Sequence, residues 1–312
     1  MTENVVETLF LLLFAPLLAL TLPYSTEVTP VEVLRLPSYT EGVVFDLEGN
    51  GYISEPNRRS ITRFTPDGKA AVWAEATHPN GHKVLPDGTH LVCDLGAVLH
   101  LDWNGHLISR ASVECDGKPL RKPNDLTIDP TGGFYFTDPE GSMQQPTGTV
   151  HYVDTVGRTH LTAGNLMFPN GIVLRPDGKT LLVAESPRNR ILEFPVKGPG
   201  KLGHSKLFAN LPPKGTGQID NAPDGICLDA EGNLYVAHYG MRQVQVLDRR
   251  GRLVRTYSSG GILRTSNVAF AGLDMDDLYI TGGIDANLQG EGAVFRLHLP
   301  GVRGLAIPIR ER

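Results

Sequence analysis

Six polar residues recur at matching positions in six related stretches of the sequence. Each carries oxygen in its side chain, as a carboxylate or as a carboxamide: Glu41, Asn80, Asn124, Asn170, Asp224 and Asn267. Such side chains directed at one point would be costly to desolvate if they enclosed nothing. A hard divalent cation removes that cost, because it takes about six to eight oxygen ligands and accepts amide carbonyls beside carboxylates.

The donor type narrows the choice of ion. Oxygen-only coordination favours Ca²⁺, Mg²⁺ or Mn²⁺ over Zn²⁺, which prefers nitrogen and sulfur ligands. Glu41 and Asp224 would neutralise a double positive charge, while the asparagines add dipoles without further charge. We therefore predict one divalent cation, calcium first, with magnesium, manganese or zinc as alternatives.

The stretches that carry these residues share one pattern of two apolar runs around a tight turn. Examples are "PNDLTIDPTGGFYFTD", "PNGIVLRPDGKTLLVAE" and "PDGICLDAEGNLYVAH", and the six starting residues lie 39 to 54 residues apart. Short β-type runs repeated at this period indicate a β-propeller with about four strands per blade. The chain is therefore predicted to be all-β, a six-bladed β-propeller with four-stranded antiparallel blades.

The ends of the chain bear on domain organisation. We predict one catalytic propeller over residues 28–312, preceded by an apolar segment, residues 1–27, that is either signal-like or helical. A closed ring needs one blade to be shared between the two ends of the chain. The stretch "PVEVLRL" (Pro30–Leu36) is one candidate for its outer strand, beside "GAVFRLHL", and the terminal "GLAIPI" is the other.

Propeller geometry also explains a second set of positions. The innermost strand of each blade starts at one face of the disc, and the next strand returns antiparallel to end beside that start. The returning strands end 14 or 15 residues after the first set, at Glu55, Asp94, Asp138, Glu185, His238 and Gly282. Two rings of side chains are therefore expected at one mouth of the central channel. The alternative, that Asn and Asp before Gly only form turns, explains Glu41 poorly.

Composition argues against a nucleic-acid partner and gives only weak information about the cellular location. The formal net charge of −5, without a basic cluster, argues against nucleic acid. Three scattered cysteines give no disulfide framework and no zinc motif. The apolar run at residues 9–22 follows an acidic start instead of the basic one that an export signal needs. A cytoplasmic location is favoured, with export or membrane contact through this segment as alternatives; the oligomeric state is left open.

The quoted repeats, together with "FPNGIVLRPDGKTLLVAES" and "EGVVFD", resemble the SMP-30/gluconolactonase family over about residues 41–304. That resemblance implies a six-bladed propeller and a metal-dependent lactonase. It implies a metal held by Glu41, Asn124, Asn170 and Asp224, with Asp224 also as acid/base. In some members an arginine two residues before the first metal asparagine contacts sugar lactones, and Lys122 occupies that place here.

These observations lead to one preferred function and two alternatives. The preferred one is a carboxylic-ester hydrolase that opens a sugar or small aliphatic lactone, with Asp224 activating water or attacking directly. Lys122, Asp138 and His238 are the expected substrate-binding residues, although Asp138, Glu185 and His238 could instead support turns and ligands. The alternatives are phosphotriester hydrolysis at the same site and a non-enzymatic calcium-binding or interaction propeller.

Overall fold

The computed structural model describes residues 22–66 and 68–305. The first strand, β1 (Val31–Leu36), belongs to the last blade. Blade 1 consists of β2 (Val43–Phe45), β3 (Gly51–Glu55), β4 (Ser60–Phe64) and β5 (Ala70–Glu75). Blade 2 consists of β6 (His82–Val84), β7 (His90–Asp94), β8 (Ala97–Leu101) and β9 (Leu107–Ser112), and it is followed by a small hairpin of β10 (Glu114–Cys115) and β11 (Lys118–Pro119).

The remaining blades follow the same plan. Blade 3 consists of β12 (Leu126–Ile128), β13 (Phe134–Asp138), β14 (Gly148–Val153) and β15 (Thr159–Leu166). Blade 4 consists of β16 (Pro169–Leu174), β17 (Thr180–Glu185), β18 (Arg190–Gly198) and β20 (Lys206–Asn210), with the short β19 (Lys201–Leu202) also paired to β18. Blade 5 consists of β21 (Ala222–Leu228), β22 (Leu234–Tyr239), β23 (Gln243–Leu247) and β24 (Leu253–Ser258).

Blade 6 unites the two ends of the described chain. It consists of β25 (Arg264–Ala271), β26 (Asp277–Gly283), β27 (Gly292–His298) and β1, which pairs antiparallel with β27. The six-bladed propeller is thus confirmed, and so is closure by the N-terminal candidate strand. Most of the competing segment "GLAIPI", and residues 1–21 of the N-terminal segment, lie outside the described residues.

The core is divided among the contacts between blades. The described residues form six buried apolar clusters, and each draws mainly on two neighbouring blades. Between blades 4 and 5, for example, Leu182 and Ile191 pack against Ile226 and Val236. The middle strands are buried along their whole length because both of their faces contact other blades, as in β3 and β13. This explains why apolar residues stand at successive positions in these strands, as in "FYF" of β13, instead of alternating with polar ones.

Helical structure is sparse among these residues. Two single 3-10 turns, Pro56–Arg58 and Ser186–Arg188, follow the return strands of blades 1 and 4. Within residues 22–66 and 68–305, we find no helix with the length and apolar character needed to cross a membrane.

Candidate metal and active site

The inner strands deliver the predicted ligands to one end of the channel. The backbone nitrogen of Glu41 donates to Ser54 O at 2.8 Å, and that of Asn124 donates to Thr137 O at 2.9 Å. Each hydrogen bond joins the start of an inner strand to the end of its return strand. Asn170 lies in β16 beside the end of β17, and Asp224 lies in β21 beside the end of β22. All four predicted metal ligands, Glu41, Asn124, Asn170 and Asp224, therefore lie at the same mouth.

Glycine after a ring residue allows the inner strands to approach closely. A Cβ atom added to Gly171 would lie 2.2 Å from the backbone oxygen of Asp224, and one added to Gly81 would lie 2.6 Å from that of Asn124. Real Cβ atoms do not come so close, so these positions exclude larger residues. In the Asn-Gly dipeptide, the asparagine thus supplies an oxygen donor. The glycine lets its strand approach the neighbouring inner strand, which carries the next donor.

Hydroxyl groups from one blade fix the backbone of the next blade at the mouth. Thr137 Oγ1 donates to the backbone oxygen of Asn170 at 2.8 Å, and Thr281 Oγ1 donates to that of Glu41 at 3.1 Å. Both acceptors belong to predicted metal ligands. Hydrogen bonds between blades therefore set the spacing of these ligands around the channel axis.

Glu41 and Asp224 are two buried carboxyl groups that influence each other. Each side chain belongs to a residue that is 7% exposed. Burial is the main cause that raises the pKa of Glu41 to about 7; a hydrogen bond from Tyr39 and the charge of Lys122 oppose it. Burial, followed by the charge of Glu41, raises the pKa of Asp224 well above its ordinary value, while hydrogen bonding to Asn170 acts in the opposite direction. Glu41, Asn170 and Asp224 therefore form one interacting group, with Asn124 at the equivalent strand start of blade 3.

The chemistry of this group fits a divalent cation. Glu41 Oε1 accepts a hydrogen bond from Tyr39 Oη at 3.0 Å, whereas Glu41 Oε2 is buried and has no hydrogen-bond partner among the described residues. An unpaired buried carboxylate oxygen is costly. A cation coordinated by Glu41, Asn124, Asn170 and Asp224 would satisfy that oxygen and relieve the repulsion between the two carboxylates.

Side chains of the second ring, at the ends of the return strands, hold the backbone that precedes the first ring, at the starts of the inner strands. Asp138 Oδ2 and Oδ1 accept hydrogen bonds from the backbone nitrogens of Arg121 and Lys122, at 2.8 and 2.9 Å. Asp94 accepts in the same way from Thr77 and His78. Glu185 Oε1 accepts from Met167 N at 2.7 Å. Each carboxylate therefore holds the backbone two or three residues before the first-ring residue of its own blade.

His238 also has structural partners. Its side chain is fully buried, with Nε2 3.0 Å from Asn189 Oδ1 and Nδ1 3.3 Å from Gln245 Nε2. Burial lowers the pKa of His238 to about 4, so the ring is neutral near neutral pH. The hydrogen bonds of Asp138 and His238 favour the supporting role over direct contact with a substrate. Contact between either residue and a substrate stays a prediction.

Further residues at the mouth share the place of Lys122, two residues before a first-ring residue. They are Tyr39, His78 and Phe168, and none was selected from the sequence. Phe168 has φ 47°, which is an unusual backbone conformation for a bulky residue. The charge of Lys122 lowers the pKa of both Glu41 and His78. The fixed offset from the ring could have identified these positions.

Asp125 is a buried carboxylate that sequence reasoning also missed. It is 2% exposed, and its oxygens accept hydrogen bonds from Leu126 N at 2.8 Å and Ile172 N at 3.3 Å. Lys83 Nζ lies 4.0 Å from Asp125 Oδ1. The charge of Asp125 contributes to the raised pKa values of Glu41 and Asp224. It therefore adds to the negative potential at the mouth.

A second group of acidic and histidine side chains lies elsewhere. Asp276, Asp277 and His298 are close together at the opposite end of β26 from Gly282, and His298 is exposed. His298 Nδ1 lies 3.0 Å from Asp277 Oδ1 and 3.7 Å from Asp276 Oδ1. These distances indicate a surface ion pair when the histidine is protonated. The group is separate from the predicted metal centre.

Fold and site together define a six-bladed β-propeller with an oxygen-rich centre at one mouth of its channel. The family profile described as SMP-30/Gluconolactonase/LRE-like region matches residues 39–283. The chain belongs to this family. The matched range begins just before Glu41 and ends just after Gly282, so it covers both rings of polar residues.

Named relatives and solved structures share most of the chain's length. The chain is 30% identical to the lactonase drp35 of Staphylococcus aureus strain MW2 over 255 residues, 77% of each chain. It is 28% identical to that of Staphylococcus haemolyticus over 270 residues, 82% of each chain. The structure of a gluconolactonase from Xanthomonas campestris has a TM-score of 0.75 and 25% identity, with 89% of this chain and 91% of that chain covered. A calcium-binding protein, regucalcin, from Agrobacterium tumefaciens has a TM-score of 0.77 at 21% identity, with 91% and 98% covered, and shows the shared fold.

Proposed function

We propose that this protein is a carboxylic-ester hydrolase that opens lactone rings with the help of one divalent cation. The observation that carries the proposal is the pair of buried, interacting carboxyl groups, Glu41 and Asp224, at the ligand positions of a chain from a lactonase family. Asn124 and Asn170 complete the proposed ligand set. Calcium is the first choice because all the donors are oxygen, with Mg²⁺, Mn²⁺ and Zn²⁺ as alternatives.

The reaction assigns a separate task to each part of the site. When a divalent cation is bound, the chemistry it supplies is polarisation of the lactone carbonyl and stabilisation of the negative charge that develops on its oxygen. Asp224 accepts a proton from water, and the resulting hydroxide oxygen bonds to the carbonyl carbon. The bond between that carbon and the ring oxygen then breaks, the electron pair stays on the ring oxygen, and one proton, balanced by the one that Asp224 took from water, completes the hydroxy acid. Lys122 would attract an anionic or hydroxylated substrate to the mouth.

A substrate and metal screen tests this function. The full chain would be stripped with a chelator and then assayed with Ca²⁺, Mg²⁺, Mn²⁺ or Zn²⁺ on an aldonolactone, an aliphatic lactone and a phosphotriester. We expect metal-dependent acid release from at least one lactone, at a rate well above that with the phosphotriester. If the protein hydrolysed the phosphotriester faster than either lactone, phosphotriester hydrolysis would be the better account of this site. Metal binding without any turnover would favour a non-enzymatic calcium-binding propeller.

A further inference from the structure

An arginine and a tyrosine form a pair at the same mouth, outside the predicted metal ligands. Tyr239 ends β22 directly after His238, and Arg264 begins β25 in the neighbouring blade. Arg264 Nη1 donates to Tyr239 Oη at 2.6 Å, and the guanidinium carbon lies 5.4 Å from the centre of the tyrosine ring. Arg264 Nη2 also donates to Ala286 O at 2.7 Å. The arginine is therefore held on two sides and fixes the position of the phenol.

This pair is continuous with the residues around Glu41. A Cβ atom added to Gly283 would lie 3.0 Å from Tyr39 Cδ2 and 3.6 Å from Arg264 Cδ, so both side chains lie next to the same position beside this glycine. Tyr39 in turn donates its hydroxyl hydrogen to Glu41 at 3.0 Å. The wall of the mouth on blades 5, 6 and 1 thus runs from Tyr239 to Glu41.

The two tyrosines differ in where their protons are directed. The hydroxyl hydrogen of Tyr39 is committed to Glu41. Tyr239 Oη, by contrast, accepts a hydrogen bond from Arg264, which leaves its own hydrogen available. Over the described ranges this bond from Arg264 is the only one found for the hydroxyl of Tyr239. Tyr239 is half-buried, so part of the residue is open to solvent.

We propose that Tyr239 is the acid that protonates the leaving oxygen of the lactone and that Arg264 is its positioning residue. This inference rests on the proposed lactone hydrolysis and adds a catalytic residue to it. As the carbonyl carbon separates from the ring oxygen, the bonding electron pair stays on that oxygen, which takes the proton of Tyr239. The tyrosinate, stabilised by Arg264, is then reprotonated with the proton that Asp224 took from water. One water is consumed, and one hydroxy acid is formed.

The acidity of Tyr239 suits this transfer for aliphatic lactones. Burial raises the pKa of Tyr239 to about 12, and the negative charges of Asp224 and Glu41 add to the increase, while Arg264 opposes it. An aliphatic alkoxide is about as basic as hydroxide and therefore more basic than a tyrosinate, so the transfer of the proton from Tyr239 to the alkoxide is favourable. A phenolate leaving group, with a conjugate acid of pKa about 10, needs no such help. The dependence of kcat on Tyr239 should therefore be strong when the leaving group is an alkoxide and weak when it is a phenolate.

Tyr239→Phe tests the proposal because it keeps the aromatic ring beside Arg264 and removes only the hydroxyl. Wild type and variant would be compared on an aliphatic δ-lactone and on dihydrocoumarin, whose leaving group is a phenolate. We expect kcat on the aliphatic lactone to fall by at least about 10²-fold, and kcat on dihydrocoumarin to change far less. Calcium affinity, measured by titration calorimetry, should be unchanged.

Two further variants separate a catalytic role from a structural one. Tyr279→Phe is the matched control, because Tyr279 also interacts with an arginine, Arg296, but lies on β26 towards its other end; it should leave both activities unchanged. Arg264→Gln should reproduce the selective loss. The double variant of Tyr239→Phe with Arg264→Gln should lose no more than Tyr239→Phe alone, since both changes remove one function.

The outcomes distinguish failure of the proposed role of Tyr239 from failure of the proposed lactone hydrolysis. Equal losses on the two lactones, or an unchanged kcat on the aliphatic lactone, would overturn the role of Tyr239 and leave lactone hydrolysis intact. If the wild-type chain opened neither lactone with any of the four metals, the proposed function would fall and this role with it.

Discussion

Asp224 combines two proposed tasks, metal ligand and proton acceptor, and one substitution separates them. Asp224→Asn keeps an oxygen donor and nearly the same volume, so the chain should fold and still bind metal, though more weakly. The variant cannot accept a proton from water, and we expect kcat to fall by about 10² to 10⁴ even at saturating metal. The measurement is lactone turnover against metal concentration.

A control for Asp224→Asn is available on the same propeller. Asp274→Asn removes one exposed carboxylate between β25 and β26, at the end of the blade away from the mouth, and should leave kcat unchanged. If Asp224→Asn turned over substrate at a near-normal rate in excess metal, Asp224 would be a metal ligand and not the proton acceptor. The base would then have to be another group at the mouth.

Glu41 links metal binding to pH. Because burial raises its pKa to about 7 from an ordinary value of 4.5, the folded, metal-free chain keeps a proton there that the unfolded chain releases. The contribution of this group to stability is therefore present below about pH 4.5 and is lost as the pH rises towards 7. A bound cation needs the carboxylate, so binding releases the proton and becomes tighter over the same range.

The expected result is a calcium-induced rise in melting temperature that grows from pH 5 to pH 8. Calorimetry in two buffers with different heats of ionisation would count the protons released on binding. Glu41→Gln should release fewer protons and bind calcium more weakly. A calcium-induced shift that is constant across this range would contradict the assigned pKa direction.

At the scale of elements, the ends of the return strands act as clamps on the chain that delivers the ligands. Asp138 accepts hydrogen bonds from two backbone N–H groups, those of Arg121 and Lys122, three and two residues before Asn124. An asparagine at this position has one oxygen that can accept a hydrogen bond from a backbone N–H group. Its NH₂ group would face the second N–H group, which would lose its acceptor. We expect Asp138→Asn to lower the free energy of unfolding by about 1–3 kcal/mol and to lower metal affinity as well.

Asp177→Asn is the matched control for this clamp. Asp177 also accepts a backbone N–H, from Lys179 at 2.9 Å, but it lies in an exposed turn, where water can replace the bond. Its effect on urea unfolding should stay within about 0.5 kcal/mol. If Asp138→Asn hydrolysed lactones with an unchanged kcat and a strongly raised KM at unchanged stability, direct substrate contact would be the better account of Asp138.

At the scale of the whole molecule, β1 joins the two ends of the ring. Leu36 is 6% exposed and packs in the cluster between blades 6 and 1 with Val43, Ile53 and Val294. Truncating it to alanine leaves a cavity where the ring closes, so Leu36→Ala should cost about 2–5 kcal/mol in urea unfolding. Val31→Ala, on the same strand but 53% exposed, should cost far less.

Closure also predicts how the protein unfolds. Because the last blade contains strands from both ends of the described chain, loss of β1 should weaken blade 6 and blade 1 together. Both Leu36→Ala and the wild-type chain are expected to show a single transition by fluorescence and by circular dichroism. Separate transitions for the two probes would mean that the blades do not unfold as one unit.

The sequence by itself determined the fold, and it also predicted which residues would be metal ligands, which stays a prediction. A sixfold repeat of strand, turn and strand leaves few architectures, and the propeller places the start of every inner strand at one mouth. It also favoured "PVEVLRL" as a closing strand without excluding "GLAIPI", because both are short apolar runs. Pairing of β1 with β27 decided between them.

Only the tertiary structure decided what each polar residue does at that mouth. Asn170 lies near the start and Glu185 at the end of one hairpin, so both are at its open end, and they look equivalent in sequence. One lies beside Asp224, and the other accepts a hydrogen bond from Met167 and ion pairs with arginines. Likewise, nothing local marks Tyr239, because its proposed role depends on a hydrogen bond from an arginine 25 residues away in the next blade. Periodicity assigns residues to faces of a blade, but hydrogen-bond partners depend on how neighbouring blades meet.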